Sequence, residues 1–304
     1  MTQLVVQIPA LNEAASLAAV MADIPRKIAN VDHIHVLVID DGSSDDTAKV
    51  ARASGAEVFS FGQRQGLARV FAAGLRLALE RGADVIVHTD GDHQYPGRFI
   101  PALIAPVLAG TADMVIGARP IARIRNFSPV KKLLQVLGSW VVRKLSGVDV
   151  PDAPSGFRAY SREAALRLTI ISRFTYTLET LLQARIKGLK VTSIPIEVNE
   201  VTRPSRLFKS IPVYLLRSLS TIIRIQLAYH PIGFSLTLYG LGFLTLAPLA
   251  GIFFRLNGVI LLGGWTLLCA VLAYCCNLAA GQRRRHEEAL YYQRKQALRA
   301  PKKP

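Results

Sequence analysis

The stretch "GLARVFAAGLRLALERGADVIVHTDGDHQYP", residues 66–96, decides how the first two hundred residues fold. Leu67, Val70, Phe71, Gly74, Leu75 and Ala78 recur with the period of a helix buried along one stripe, and Gly82 can end it. The run Asp84-Val85-Ile86-Val87 then reads as a strand, and it leads directly into a polar turn that holds Asp90, Asp92 and Gln94. Outward from this unit, short β-branched runs recur: "LVVQIP" at 4–9, "HIHVLVID" at 33–40, "AEVFSF" at 56–61 and "ADMVIGA" at 112–118. Helical patterns separate them, so the sequence predicts an α/β domain with a mostly parallel sheet covered by helices.

In an open α/β sheet, ligands bind beyond the carboxyl ends of the strands. Here the first strand runs into Pro9-Ala10-Leu11-Asn12-Glu13, the second into Asp40-Asp41-Gly42-Ser43-Ser44-Asp45-Asp46-Thr47, and the fourth into the turn at 90–96. No G-x-G-x-x-G follows the first strand and no G-x-x-x-x-G-K-[ST] occurs, which argues against the common dinucleotide fold and the P-loop. Asp90 and Asp92, two positions apart, can point to the same side, and Gln94 adds a third oxygen donor. Such a set suits Mg²⁺ or Mn²⁺, hard cations that share their shell with phosphates and water. The same pattern also serves as a plain polar turn or cap, and His93 reads as a supporting or solvent-facing neighbour. Asp40-Asp41 can accept from a nucleobase imide, with Gly42 allowing close approach. Alternatively Ser44 or Asp45 caps the helix that begins near Asp46, which leaves the Asp40-Asp41 pair without a task.

Beyond residue 118 the alternation fades. "VKKLLQVLGSWVVRKLSG" (130–147) reads as an amphipathic helix, "DAPSGFRAYSREAAL" (152–166) as a loop opening a helix at Ser161, and "LKVTSIPIEV" (189–198) as a strand. From Pro204 to Tyr229, Leu207, Phe208, Ile211, Leu215 and Leu219 interleave with Arg206, Lys209, Arg217 and Arg224, the composition of a helix in the membrane interface or of one packed on the domain. Residues 231–254 and 259–281 carry no formal charge, and each is long enough to cross a hydrocarbon core, so a two-helix hairpin is expected. Arg217 and Arg224 precede it, and Arg283, Arg284, Arg285, Arg294 and Lys295 follow it. By the positive-inside rule the N-terminal portion and both termini are expected in the cytoplasm, at the cell (inner) membrane. "MTQLVVQIPALNE" has neither the basic n-region nor the apolar h-region of a secretory signal. The net charge of +16 lies largely beside these spans, which makes anionic lipid a nearer partner than nucleic acid. Cys269, Cys275 and Cys276 all fall in the second span without metal spacing and read as reduced and structural. The expected organisation is a catalytic domain over 1–203, a juxtamembrane segment over 204–229, two spans over 230–281 and a basic tail over 282–304.

Taken together these residues resemble the GT-A glycosyltransferases of family 2, in particular the membrane-anchored, polyprenyl (dolichyl) phosphate-sugar synthase-like branch. The resemblance covers roughly residues 4–209 and is carried, in order, by "PALNE", "VLVIDDGSSDDT", "QGLARVFAAGL", "DGDHQYP", "SGFRAY" and "RPSRLFKS". It implies a Rossmann-like sheet in which Pro9, Ala10, Asn12, Glu13 and Asp41 line a nucleotide pocket that Asp40 supports. It also implies that Asp90, Asp92 and Gln94 hold Mg²⁺ or Mn²⁺ on the diphosphate of a nucleotide-sugar donor. Arg119 would stand near the acceptor or leaving diphosphate, and Lys131 or Lys132 would face the acceptor phosphate. Asp152, Ser155, Gly156, Phe157 and Arg158 match the acceptor-side loop, while Arg203 and Arg206 match the segment that closes over the diphosphate. The implied reaction is direct inverting displacement, with Asp92, Arg119, Arg203 and Arg206 as the catalytic groups.

A lipid phosphate acceptor is already anionic and needs no general base, whereas a hydroxyl acceptor needs one. The Q-x-x-R-W segment of processive synthases is absent, and Glu179 is the nearest candidate base, or else a helix-face carboxylate. Two departures from the branch leave the acceptor open: Arg203-Pro204-Ser205-Arg206 where Gly and Lys usually flank the serine, and His93-Gln94-Tyr95 for Leu-Gln-His. The alternatives are transfer to a lipid hydroxyl, as in glycolipid synthesis, and a membrane-bound scaffold without turnover. Homo-oligomers through the Gly-rich span faces are a further expectation.

Overall fold

Strand β1 (Gln3–Ala10) pairs in parallel with β2 (His33–Asp40) and with β4 (Val85–His88), and β3 (Glu57–Ser60) extends the sheet beyond β2. On the other side stand β5 (Met114–Ala118), β6 (Arg158–Ser161) and β7 (Val191–Pro195), giving the order β3-β2-β1-β4-β6-β5-β7. The computed structural model describes residues 1–124, 127–172, 174–199, 211–253 and 255–298. It divides into two units, Met1–Thr221 with Arg294–Pro304, and Ile222–Gln293.

The mostly parallel sheet expected from the sequence is present, with one correction. Residues 158–161, expected in a loop, form a strand that runs antiparallel to both β4 and β5. This strand hides a charge, since Arg158 is fully buried, and that departs from the apolar signature of a central strand. Ser161 ends it and caps the next helix, its side chain accepting the Ala164 N–H at 3.0 Å, as the sequence suggests.

Among the described residues the sheet is accompanied by α1 (Ala14–Asp23), α2 (Thr47–Ala53), α3 (Leu67–Glu80), α4 (Ile100–Leu108), α5 (Pro129–Ser146), α6 (Arg162–Arg167) and α7 (Thr177–Ile186), with α5 packed against α7. On one face Leu4, Val6, Ile8, Val38, Val85 and Val87 pack against Leu17 and Met21 of α1 and Leu103 and Ile104 of α4. Each such side chain contributes about 1.5–3 kcal/mol when removed from water. On the other face α3 buries Val70, Phe71, Gly74, Leu75 and Ala78, the stripe its periodicity predicts. There the Phe71 ring stacks on Tyr176 with centroids 3.9 Å apart, and His88 meets both rings edge-on.

Helix α8 (Ile211–Tyr229) leads into the second unit, which holds α9 (Pro231–Phe253) and most of α10 (Arg255–Ala297). Residues 255–258, expected to interrupt two spans, are helical, and the same helix continues through the basic residues after 281. Among the described residues one helix, Gly263–Ala297, is long and apolar enough to cross a membrane, while the apolar stretch Pro231–Leu244 is shorter. The cysteines of the span are free, as expected.

Candidate active site

The parallel register aligns the carboxyl ends of the strands, setting Ala10 beside Asp40 and Gln7 beside His88. The loops leaving β1 and β2 are then tied together. Asn12, with φ of 54°, donates its N–H to Ser43 Oγ at 2.9 Å and accepts the Ser44 N–H on Oδ1 at 2.8 Å. Glu13 N–H reaches Thr47 Oγ1 at 2.8 Å. Asp40, buried, accepts the Ser43 N–H at 2.9 Å, and Asp41, also buried, accepts from Gln65 at 2.5 Å and Gly66 at 3.0 Å. Asp41 thereby anchors the N-terminus of α3. Gly42 has φ of +78°, and a Cβ there would stand 3.1 Å from the backbone of Gln63 and Arg64, so both shape and space require glycine. Asp45 accepts the Thr47 N–H at 3.0 Å in the turn before α2, whose N-cap position is Asp46 and makes no side-chain cap hydrogen bond, so the expected cap from Ser44 or Asp45 is replaced by this turn.

The β4 turn joins this wall. Ser16 Oγ donates to the Gly91 carbonyl at 2.6 Å, and a Cβ on Gly91 would lie 3.2 Å from Glu13 Cγ and 3.4 Å from the Pro9 carbonyl. Asp92 accepts the Gln94 N–H at 3.1 Å, and His93 sits at φ of 60°. Asn199 clamps the turn from a distant loop, its N–H on the Gln94 carbonyl at 2.9 Å and its side-chain amide on the His93 carbonyl at 3.0 Å. The Asp90 side chain keeps 34% of its surface exposed and lies 3.8 Å from His88 Nε2, beyond hydrogen-bond length. On its other side is Gly156, where a Cβ would stand 3.1 Å from Asp90 Oδ2. Gly156 N–H in turn donates to Tyr95 Oη at 3.1 Å, and the Tyr95 ring stacks on Phe157. Burial pushes the Tyr95 phenol up to about 12, so it stays protonated and joins the turn to the 156–157 loop.

Arg119 and Asp152, read as separate candidates, form one two-pronged pair, Nε to Oδ2 at 2.7 Å and Nη2 to Oδ1 at 3.0 Å. The remaining Arg119 nitrogen, Nη1, is 3.5 Å from Gln94 Oε1, which links the acceptor side to the β4 turn. Burial, followed by the Arg119 charge, lowers the Lys131 pKa. Lys132 donates instead to the Ala122 carbonyl at 2.8 Å. Ser155 and Arg158 point into the protein. Ser155 Oγ donates to the Gly117 carbonyl at 2.6 Å, and Arg158 donates to the carbonyls of Ser155, Ala153 and Thr177 and to Thr180 Oγ1. Both residues therefore shape the acceptor-side loop from behind. Glu179, the candidate base, is fully buried and accepts the N–H groups of Ile171 at 2.9 Å and Ser172 at 2.8 Å. Arg203 and Arg206 lie outside the described residues.

Among the described residues no three His, Cys, Asp or Glu side chains gather into a closed metal site. Asp90 and Asp92 nevertheless fit a hard cation that takes its other ligands from phosphate and water, since they offer charged oxygens in a partly open turn against a bare Gly156. Four contributors had no sequence signal of their own. Asn199 lies 106 positions from His93, and Tyr95 acts through its hydroxyl. Gln7 and His88 are fully buried beside each other, with side-chain nitrogens that find no partner among the described residues. Burial holds the His88 imidazole below its ordinary pKa.

The sheet and these strand-end loops define an α/β domain of the GT-A type. The family model described as glycosyl transferase family 2 matches residues 5–169, and the chain belongs to that family. It is 32% identical over 201 residues to an undecaprenyl-phosphate mannosyltransferase of Micrococcus luteus, covering 62% of this chain and 80% of that one. It is 28% identical over 205 residues to a polyprenol monophosphomannose synthase of Mycolicibacterium smegmatis, covering 64% of this chain and 76% of that one. Glucosyl-3-phosphoglycerate synthase from Mycobacterium tuberculosis, solved with Mn²⁺, uridine diphosphate and glucosyl-3-phosphoglycerate, shares the fold with a TM-score of 0.57. Its identity is 23%, over 74% of this chain and 80% of that one.

Proposed function

We propose that this glycosyltransferase moves a sugar from a nucleotide-diphosphate donor to a polyprenyl phosphate at the cytoplasmic face of a membrane, with inversion and with Mg²⁺ or Mn²⁺. The observation that carries the reading is the β4 turn, whose Asp90 and Asp92 stand between the β1–β2 loops and the Arg119–Asp152 pair. A nucleotide would occupy the wall made by Pro9, Ala10, Asn12, Glu13 and the Asp40–Asp41 loop. Asp90 and Asp92, with Gln94 beside them, would hold the cation, which supplies positive charge to the diphosphate leaving group. Arg203 and Arg206 would add charge-assisted hydrogen bonds to the same oxygens. Arg119, kept in place by Asp152, and Lys131 would receive the acceptor phosphate.

That acceptor needs no base, and the engagement of Glu179 with two backbone amides favours it over a hydroxyl. The names of the two bacterial relatives support the polyprenyl class, and the apolar helix supports a membrane setting. The second span and the orientation rest on the uncharged runs and the flanking arginines.

Membranes carrying the full chain, incubated with labelled nucleotide sugars and a divalent cation, should yield an organic-phase product that mild acid destroys. An acid-stable glycolipid would overturn the phosphate-sugar assignment and favour a lipid hydroxyl.

A further inference from the structure

Directly beneath the β4 turn the core holds two polar side chains that the arrangement described so far does not use. Gln7 and His88 are fully buried, and neither amide atom of Gln7 nor either ring nitrogen of His88 has a hydrogen-bond partner among the described residues. The two are register partners on the parallel strands β1 and β4, whose backbones run about 5 Å apart. Both side chains face α3. A methyl group on Gly74 would collide with Gln7 Oε1, and the ring of Phe71 meets the His88 imidazole. Helix α3 thus carries a glycine in its interior, which weakens a helix, at the place where Gln7 needs room. Unpaired buried polar atoms also cost stability, so an apolar pair at positions 7 and 88 would make the firmer core.

The reason for keeping them lies above. His88 Nε2 stands 3.8 Å from Asp90 Oδ1, with the imidazole fully buried and the carboxylate partly open. Phe71 and Tyr176 meet the imidazole edge-on, which fixes its plane. A closure of about 0.8 Å brings Nε2 and Oδ1 to hydrogen-bond length. We infer that Gln7 and His88 are positioning residues for the metal-binding turn: Gln7 Nε2 donates to His88 Nδ1, and His88 Nε2–H donates to Asp90 Oδ1, leaving Oδ2 for the cation. A neutral imidazole carries one N–H, so a proton on Nε2 requires Nδ1 to accept, and Gln7 is the register partner that can donate to it. A carboxylate that ligates a metal is ordinarily held by a hydrogen bond from behind, and losing such a partner costs about 10–100-fold in affinity. The inference rests on the reading that Asp90 holds the cation, and not on which sugar or acceptor is used.

The test uses the full chain in detergent with Mn²⁺ alone as the probe, free Mn²⁺ being measured by electron paramagnetic resonance. His88→Leu removes both nitrogens at similar volume and should raise the Mn²⁺ dissociation constant about tenfold or more without lowering the unfolding midpoint. His88→Gln, whose amide N–H can stand in for Nε2–H, should recover most of the affinity. Gln7→Leu should weaken binding less than His88→Leu, and the double variant no more than His88→Leu alone. In the unmodified chain labelled with ¹⁵N-histidine, Mg²⁺ should shift the ring signals of His88, identified by their loss in His88→Gln, and should not shift them in Asp90→Asn. Native Mn²⁺ affinity in His88→Leu would overturn the inference. So would histidine ring signals that Mg²⁺ leaves unmoved, a result that needs no variant to fold. Asp90→Asn separates the two levels. If it too binds Mn²⁺ natively, the metal role of Asp90 falls and the relay with it; weakened binding there beside native binding in His88→Leu sinks the relay alone.

Discussion

Two carboxylate pairs stand at the ends of β2 and β4, the strands on either side of β1, and they do different work. At the end of β2, Asp40 and Asp41 are each 5% exposed, and backbone amides of residues 43, 65 and 66 donate to their oxygens. At the end of β4, Asp90 is about a third exposed and faces a neutral histidine and a glycine. A carboxylate bonded to several buried amides is a structural anchor, because those donors would be orphaned without it. One left partly open to solvent keeps its charge for an incoming cation. The lesson is that equal chemistry in sequence divides into scaffold and site according to who donates to it.

Four substitutions test that division. Asp92→Asn or Asp90→Asn should lower turnover about 10²–10³-fold or more while leaving the thermal unfolding midpoint of the detergent-solubilised protein nearly unchanged. Chelation should reproduce the loss and added Mn²⁺ reverse it in the unmodified chain only. Retained turnover, or a collapse in stability, would erase the distinction. Asp41→Asn should cost about 1–3 kcal/mol of stability in denaturant unfolding, because the Gln65 and Gly66 amides lose a charged acceptor, and any loss of turnover should accompany that loss of stability. Gly156→Ala has the smallest effect. Its new methyl group presses on Asp90 Oδ2, so the cation concentration for half-maximal rate should rise about tenfold, equivalent to about 1.4 kcal/mol, with little change in unfolding.

Much of the fold is legible before any coordinates, because periodicity is a local property. The α3 stripe, the parallel strands and the polar strand ends all follow from spacing within a few residues. Strand β6 is not legible, since Arg158 in "GFRAYS" reads as surface until the carbonyls of Ala153, Ser155 and Thr177 are seen around it. Nor is the pairing of Arg119 with Asp152, 33 positions apart, or the withdrawal of Glu179 into a loop clamp. The "amphipathic" pattern of α5 was plain, but which side faces the protein was not.

Residue types and their spacing set where the elements lie, which loops are polar, that two long uncharged runs precede a basic tail, and the order of motifs shared with family 2. These depend on residue type and on spacing along the chain. Which charges are spent on the protein's own amides, which remain for a ligand, and which face of α5 looks outward follow from the folded chain alone. Those assignments depend on donors brought together from distant parts of the chain, as when Asn199 clamps the turn at His93 and Gln94. Partnership of that kind is written in space rather than in spacing.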